Sequence, residues 1–277
     1  TGIIGVRLDM EKIRSGIREA FDSLSAHGGE QAARAIMTTD TFPKEASKAF
    51  IMGGKTITIG GMAKGSGMIH PNMATMIAVL TTDAAISHRL LAKALRAAAD
   101  KSFNRISVDG DTSVCDQVLI LANGMAGNRE ITEEGKEYDA LRQAISEVSV
   151  ILSKMLASDG EGATKLIEIR AEHCSDERSA HLILNAVARS PLVKTAMFGA
   201  DAGRTIFDPD QVDIYLGDLM VCKNGAAFPF DETLALNILK KDGIVITLDF
   251  KAGEIYDRIW TCDLSFDYVK INGSYRS

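Results

Sequence analysis

The sequence contains no run of basic residues, no paired cysteines and no long apolar segment, and each absence argues against a class of protein. Its 277 residues carry 31 Lys and Arg against 37 Asp and Glu, a formal net charge of -6. Without a basic patch interleaved with aromatic residues, we expect no nucleic-acid partner. No apolar stretch reaches the roughly 18 residues that a membrane-spanning helix needs, so we expect no membrane association.

Cysteine and histidine are sparse and dispersed. Cys115, Cys174, Cys222 and Cys262 form no CxxC pair, and the five histidines show no metal-ligand spacing. We therefore predict neither a disulfide framework nor a metal site. Reduced thiols are typical of a cytoplasmic protein, and this is the location that we predict.

Hydrophobic residues make up 46% of the chain, enough for one large domain or two smaller ones. Their periodicity predicts helices that alternate with strands, some of which adjoin through short turns, and this mixture is typical of α+β layers. The predicted helices are 8–26, 87–101, 132–156, 175–188 and 231–239, with Ser87, Thr132, Ser175 and Asp231 as caps. The predicted strands are 55–59, 76–85, 118–122, 166–169, 193–198, 212–216, 219–222, 244–250 and 260–271, and 60–72 is a predicted loop.

The densest unusual stretch combines glycine and methionine with a few polar residues: Ala63-Lys64-Gly65-Ser66-Gly67-Met68-Ile69-His70-Pro71-Asn72-Met73-Ala74-Thr75-Met76. Glycines near Lys and Ser could cradle a phosphate, but the spacing differs from that of a P-loop. The residues alone also fit a flexible loop before a core strand.

This stretch resembles the cleavage segment of the ornithine acetyltransferase (glutamate N-acetyltransferase) family. Further stretches resemble the same family in the same order: Thr1-Gly2-Ile3-Ile4-Gly5, Ser107-Val108-Asp109-Gly110-Asp111-Thr112-Ser113, Asp159-Gly160-Glu161-Gly162-Ala163-Thr164-Lys165, Ser190-Pro191-Leu192-Val193-Lys194-Thr195-Ala196, and Asp267-Tyr268-Val269-Lys270-Ile271-Asn272 through Ser277. The resemblance covers essentially the whole chain.

The resemblance implies a fold and a chain division. The fold is a layered αββα-type sandwich of the self-processing ornithine acetyltransferase/aminopeptidase kind, with a smaller C-terminal α/β part. Cleavage between Ala74 and Thr75 would make residues 1–74 the end of an α chain, whose upstream segment is absent here. Residues 75–277 would form the β chain, and the family pairs such chains as α₂β₂.

The same resemblance makes Thr75 the nucleophile. A threonine hydroxyl needs a base within hydrogen-bond reach. Cleavage would free the α-amino group of Thr75, whose reference pKa of about 7.7–8.0 lies close to working pH. Thr1 and Gly2 would supply the oxyanion hole by resemblance, and we expect an upstream segment or a partner chain to hold them in place.

The remaining family contacts fall on five residues. Lys64 would bind the substrate α-carboxylate, and Glu161 would receive the side-chain ammonium of ornithine. Thr38, Asn272 and Ser277 match further substrate contacts, and Thr75 itself carries the acetyl group.

The predicted activity is a ping-pong transfer of acetyl from N-acetylornithine to glutamate in arginine biosynthesis, without a metal or a bound cofactor. Acetyl-CoA is used as donor by some family members, and its use here stays open. Two alternatives also stay open: a hydrolase or aminopeptidase with the same N-terminal nucleophile, and an inactive remnant that acts as a binding subunit. The remnant is suggested by the absent upstream segment and by a shortened stretch at 201–205. Cys115, where the family generally has asparagine, is a further departure from the pattern.

Overall fold

The computed structural model describes residues 7–70, 76–113, 116–199 and 211–274. The helices are α1 (Met10–Asp22), α2 (Gly29–Ala35), α3 (His88–Asp100), α4 (Lys136–Ser158), α5 (Glu177–Ala188), α6 (Pro191–Phe198), α7 (Glu232–Leu239) and α8 (Phe266–Ser274). The strands are β1 (Lys44–Met52), β2 (Lys55–Lys64), β3 (Ile77–Thr82), β4 (Ile106–Ser107), β5 (Gln117–Ala122), β6 (Leu166–Cys174), β7 (Asp213–Leu216), β8 (Leu219–Lys223), β9 (Ala226–Ala227), β10 (Gly243–Asp249) and β11 (Ile255–Cys262).

The first sheet has the strand order β1-β2-β3-β5. A hairpin joins β1 to β2 through Gly53 and Gly54, whose φ angles of 56° and 74° suit a two-residue turn that glycine adopts without strain. β3 and β5 are parallel, and a parallel pair needs a crossover. Helix α3 lies in that connection and packs against β5.

The second sheet has the order β4-β11-β6-β10-β7-β8-β9 and buries both faces of its central strands. Because side chains alternate along a strand, neighbouring residues belong to different cores. Trp260 joins the core shared with the first sheet, while Ile259 joins a second core with Ile167 and Ile169. The second core also contains buried residues of α5, α6 and α7.

Helix α4 packs against both sheets. Leu152 is so close to Gly61 of β2 that a Cβ added there would lie 3.0 Å from its Cδ1. On the other side, Lys154 lies 5.1 Å from the centre of the Trp260 ring and 3.3 Å from Glu168 of β6. The layers in the described residues therefore follow the order sheet, helices, sheet, helices. The predicted α+β class, the layered sandwich and the smaller C-terminal α/β part are confirmed.

One predicted strand is wrong, one is too long, and two, 55–59 and 166–169, end too early. Residues 193–198 belong to α6, because Pro191 opens a helix and the Ser190 hydroxyl accepts a hydrogen bond from the Val193 N–H. The strand predicted over 260–271 ends at Cys262, and α8 follows from Phe266. β2 runs through Lys64 rather than ending at Ile59, and β1 was not predicted at all.

The predicted helices are all present, but their caps differ. Asp231 caps α7 as predicted and accepts from two backbone N–H groups. The side chain of Asp176 caps α5 in place of the predicted Ser175, and Gly135 takes the place of Thr132 before α4. Ser87 precedes α3 without a capping hydrogen bond from its side chain.

Helix α1 has the predicted apolar spacing but no residue that is buried within the described part of the chain. Ile17, Phe21 and Leu24 are 63%, 71% and 76% exposed. The helix is nevertheless capped, since the Asp9 carboxylate accepts from the backbone N–H groups of Glu11 and Lys12.

We predict that Leu152→Ala destabilises the fold by about 2–5 kcal/mol, because it removes a fully buried side chain from the helix between the two sheets. Chemical denaturation followed by circular dichroism measures the loss. The neighbouring Ile151 is 43% exposed, so Ile151→Ala is the matched control and should cost well under half as much. Equal losses for the two variants would contradict the position of α4.

Candidate active site

One end of the first sheet gathers three chain segments around Met76. Lys64 of β2 pairs with Ile77 of β3, and Ile77 pairs with Gln117 of β5. Beyond this row the Met76 C=O accepts a hydrogen bond from the Gln117 N–H at 3.1 Å. The Met76 N–H donates to Oδ1 of Asp116 at 2.8 Å. Both backbone polar groups of Met76 are thus fixed to the segment that leads into β5.

Lys64 ends β2 as a buried cation, with 2% of its surface exposed. Its Nζ donates to Thr38 Oγ1 at 3.1 Å, and no carboxylate of the described residues lies within 4.0 Å of it. Burial lowers the pKa of Lys64 and Lys44 adds to this, while Asp40 and Asp116 oppose it. A buried ammonium with unfilled donor capacity is a ready site for an anion.

A second buried lysine nearby is fully neutralised. Lys44 Nζ lies 2.6 Å from Asp40 and 2.6 Å from Asp159, and its side chain is 0% exposed. Asp159 follows α4 and also accepts from the Thr41 N–H at 2.9 Å. These contacts join the segment before β1 to the end of α4.

Asp40 connects this cluster to Lys64. Besides Lys44, it accepts from the Gly65 N–H at 2.7 Å and from the Thr38 N–H at 3.1 Å. Burial alone would raise the pKa of Asp40, but Gly65, Lys44 and Thr38 outweigh it and hold the pKa below its usual range. Asp40 thereby connects the backbone of Thr38 to that of Gly65.

Glu161 lies on the other side of the short segment after Lys64. Its N–H donates to the Ser66 C=O at 2.9 Å, and Asn272 Nδ2 donates to its Oε2 at 2.9 Å. A Cβ added at Gly67 would lie 2.6 Å from this carboxylate, so a side chain there would displace Glu161 from its present position. Glu161 is half-buried and has a carboxylate with capacity for a further donor.

Asp109 fixes the next part of the glycine-rich segment. It accepts from the Met68 N–H at 2.7 Å and the Ile69 N–H at 3.1 Å. Burial raises the pKa of Asp109 despite these hydrogen bonds. Burial, followed by the charges of Asp109, Asp111 and Glu161, raises the pKa of Tyr268 to about 12. Asp109 thus holds the backbone of Met68 and Ile69 in place.

His70 lies beside this turn as a neutral imidazole. Its Nδ1 is 3.1 Å from Ser107 Oγ. Burial, reinforced by the charges of Arg189 and His181, lowers the pKa of His70 to about 4. A ring that stays neutral at physiological pH supplies no positive charge to a substrate carboxylate.

The structure brings four of the predicted substrate residues into two contacting pairs, Thr38 with Lys64 and Glu161 with Asn272. The predictions for Thr1, Gly2, Ala74, Thr75 and Ser277 fall outside the described residues, as do those for Cys115 and 201–205. Sequence reasoning missed Asp40, Asp159 and Asp116. Asp159 lies in a stretch that was noted, whereas short polar residues such as Asp40 are too common in turns to stand out.

Metal ligation finds no support in the part of the chain that the structure describes, where no group of three or more His, Cys, Asp or Glu is arranged to hold an ion. Nor is any helix of that part long and apolar enough to span a bilayer. The site that these residues form has a buried cation and a half-buried carboxylate on the two sides of a glycine-rich segment.

A few charged groups placed around a buried concave site are typical of proteins that bind small charged molecules. Comparison with known sequences makes this specific. The ArgJ family model matches residues 1–277, and the chain belongs to the ArgJ family.

Relatives and a solved structure agree with this membership. The chain is 51% identical to the arginine biosynthesis bifunctional protein ArgJ of Symbiobacterium thermophilum, over all of this chain and 72% of that protein. It is 45% identical to ArgJ of Bacillus subtilis, over all of this chain and 70% of that protein. The crystal structure of ArgJ from Bacillus halodurans matches with a TM-score of 0.66 and 36% identity, covering 70% of this chain and 97% of that chain.

We predict that Lys44→Met lowers the free energy of unfolding by about 3–5 kcal/mol, because it leaves Asp40 and Asp159 as buried, uncompensated carboxylates. Urea unfolding measures the loss. Lys48→Met is the matched control on the same strand, since Lys48 pairs with Glu147 where both side chains are more than a third exposed, and should cost under about 1 kcal/mol. Indistinguishable midpoints for the two variants would refute the structural role of Lys44.

Proposed function

We propose that this chain is a self-cleaving acetyltransferase of arginine biosynthesis that carries acetyl from N-acetylornithine to glutamate on Thr75. The observation that carries the proposal is the buried ammonium of Lys64, which has no carboxylate of the described residues within 4.0 Å and lies at the sheet end where the chain enters β3. Membership of the ArgJ family and the names of the relatives supply the pathway.

Lys64 accounts for recognition of both substrates. N-acetylornithine and glutamate each have an α-carboxylate, and a carboxylate at Lys64 Nζ would neutralise a cation that the described residues leave without one. Charge-assisted hydrogen bonds of this kind are roughly twice as strong as neutral ones. The Thr38 hydroxyl, bonded to the same Nζ, is placed to bind the second carboxylate oxygen.

Glu161 accounts for selection of ornithine. Its carboxylate is oriented by Asn272 and retains acceptor capacity for the side-chain ammonium. Glutamate has no such ammonium, so Glu161 contributes to the first half-reaction more than to the second. Ser277 is proposed as a further contact, by family resemblance.

Thr75 is the proposed carrier. Its hydroxyl would attack the carbonyl of Ala74, and the C–N bond between Ala74 and Thr75 would break, which frees the α-amine of Thr75 and leaves an ester on its Oγ. Water would then hydrolyse this ester, releasing the Ala74 carboxylate and restoring the Thr75 hydroxyl. In turnover the amine accepts the hydroxyl proton as Thr75 Oγ attacks the acetyl carbonyl, and the proton leaves with ornithine. Glutamate then takes the acetyl group from the ester. Thr1 and Gly2 would stabilise the oxyanion of each step.

Cleavage between Ala74 and Thr75 is proposed by family resemblance. The two products of cleavage are proposed to assemble as α₂β₂ in the cytoplasm. The reaction uses no metal or bound cofactor, and acetyl-CoA could enter as a second acetyl donor to the same hydroxyl.

We predict that Thr75→Ala abolishes both self-cleavage and acetyl transfer, because it removes the attacking oxygen. Intact-mass measurement of the purified protein should give two chains for the wild type and one for the variant. Thr81→Ala is the control, since Thr81 is an exposed threonine of β3 and should leave cleavage unchanged.

Incubation with N-acetylornithine, with and without glutamate, completes this test. N-acetylglutamate should form with glutamate present. Release of acetate without N-acetylglutamate would instead identify a hydrolase. A wild-type protein that stays whole and inactive would identify a remnant.

We predict that Lys64→Met and Glu161→Gln separate the two half-reactions. Loss of the buried cation should raise the KM of both substrates about ten- to hundredfold, because each loses a charged hydrogen bond. Glu161→Gln should raise the KM of N-acetylornithine at least several times more than that of glutamate. Lys55→Met, at the exposed start of the same strand, is the control. Equal effects of Glu161→Gln on both substrates would contradict its role.

A further inference from the structure

Three cations converge on one carboxylate between α4 and the second sheet. Glu168 of β6 lies 2.8 Å from Nε of Arg170 and 3.3 Å from Nζ of Lys154. Nη1 of Arg258, on the neighbouring strand β11, is 4.0 Å from the same carboxylate. Trp260 Nε1 also donates to Glu168 at 2.8 Å. One carboxylate therefore serves all three cations of this cluster.

The cluster has more positive than negative charge. Burial alone would raise the pKa of Glu168, but the hydrogen bonds from Trp260 and Arg170 and the charge of Lys154 lower it to about 2. Glu168 is therefore fully ionised at physiological pH and contributes one negative charge. The carboxylate of Glu172 also interacts with Arg170. Even with this second carboxylate, the three cations leave an excess of positive charge.

The sheet places two of these cations directly opposite each other. Arg258 of β11 and Arg170 of β6 are register partners in an antiparallel pair. Like charges in this position destabilise a sheet. Local arrangements that cost stability are expected at functional sites. An anion that binds both guanidinium groups would explain why the chain has arginine at both positions.

The three cations are accessible and held in place. The side chains of Lys154, Arg170 and Arg258 are 38%, 37% and 40% exposed. Lys154 and Arg258 also lie over the ring of Trp260, 5.1 Å and 4.9 Å from its centre. Such cation–π contacts restrain a charged group without using its N–H donors. A guanidinium offers these donors in a fork that fits a carboxylate or a phosphate.

A cavity of about 780 Å³ lies beside this cluster and has Arg258 in its wall. Its volume is within the range of about 300–1,000 Å³ that is typical of small-molecule sites. The Tyr256 side chain lines it from β11, and Val150 and Ile151 line it from α4. These apolar surfaces can accommodate the carbon skeleton of a ligand whose charged group binds Arg258.

The carboxylates in the wall of the cavity do not cancel this positive charge. Asp257 pairs with Arg105 at 3.2 Å, and Glu147 pairs with Lys48. The other two carboxylates are exposed to solvent, which screens their charge. Lys101 also lines the cavity, and no carboxylate of the described residues lies within 4.0 Å of its ammonium. The four carboxylates are Asp100, Glu147, Glu177 and Asp257.

We propose that the cluster and the cavity form a binding site for a small organic anion. A carboxylate or phosphate group of the ligand binds Arg170 and Arg258, and its carbon skeleton lies against Tyr256 and Ile151. Both ligand chemistries present negatively charged oxygens to the same guanidinium groups. Such a ligand binds whether or not Thr75 carries acetyl.

Trp260 makes binding directly observable, because it is the only tryptophan of the chain and lies beneath two of the cations. Titration with glutarate or glycerol phosphate at constant ionic strength should give a saturable change in tryptophan emission. Arg258→Met should weaken the binding by at least about tenfold, because the ligand loses a charged hydrogen bond. Arg142→Met is the matched control on α4, since Arg142 pairs with Asp139, and should leave the affinity unchanged. Calorimetric titration measures the same affinities independently of the emission.

Binding of glutarate alone would identify a dicarboxylate ligand, and binding of glycerol phosphate alone a phosphate ester; both results support the site. The absence of saturable binding of either anion at millimolar concentration would overturn the proposal, as would equal affinities of the wild type and Arg258→Met. If Arg258→Met does not fold, Lys154→Gln replaces it with the same expected loss.

A variant of the candidate active site separates this site from the proposed substrate site. Lys64→Met should bind both anions as the wild type does. Loss of binding in Lys64→Met would place the anions at the substrate site and overturn the proposal, while leaving the proposed function intact.

Discussion

The buried ammonium of Lys44 holds together parts of the chain that are distant in sequence. Asp40 lies before β1 and Asp159 follows α4, and each places an oxygen 2.6 Å from the same nitrogen. Two buried carboxylates at this separation would repel each other without the cation between them. The same two residues also accept from backbone N–H groups at Thr38, Thr41 and Gly65. The glycine-rich segment is therefore positioned by an ion cluster rather than by apolar packing alone.

The end of the first sheet fixes the backbone at the entry into β3. A residue that enters a central strand has a neighbour on each side, and here those neighbours are the end of β2 and the start of β5. Met76 is fixed through both of its backbone polar groups. This end of the sheet is thus rigid in the described residues, and a rigid scaffold is what preorganised catalysis requires.

Much of this fold could be predicted from periodicity. Ile57 and Ile59 are buried, as their alternation along a strand predicts. Leu90 is buried on the face of α3 that helical spacing predicts. The failures have local causes. Residues 193–198 look apolar enough for a strand, but Pro191 and the Ser190 cap start a helix before them. β1 escapes prediction because its side chains alternate between half-buried and exposed, with few large apolar residues among them. Two of the four predicted caps were misplaced, Ser175 by one residue and Thr132 by three, which is within the usual error of helix boundaries predicted from sequence.

The site could be predicted in part. The motifs identified Lys64 and Glu161, but not the charged residues around Lys64. The negative charge of Asp40 raises the pKa of Lys64. Lys44 donates hydrogen bonds to both Asp40 and Asp159. Its positive charge therefore compensates much of the negative charge of these two carboxylates at Lys64. Such an arrangement depends on distances between side chains 4 and 115 residues apart, which no sequence pattern encodes. Among the described residues, Lys44 thus pairs with the nearby carboxylates, and Lys64 has no carboxylate within 4.0 Å.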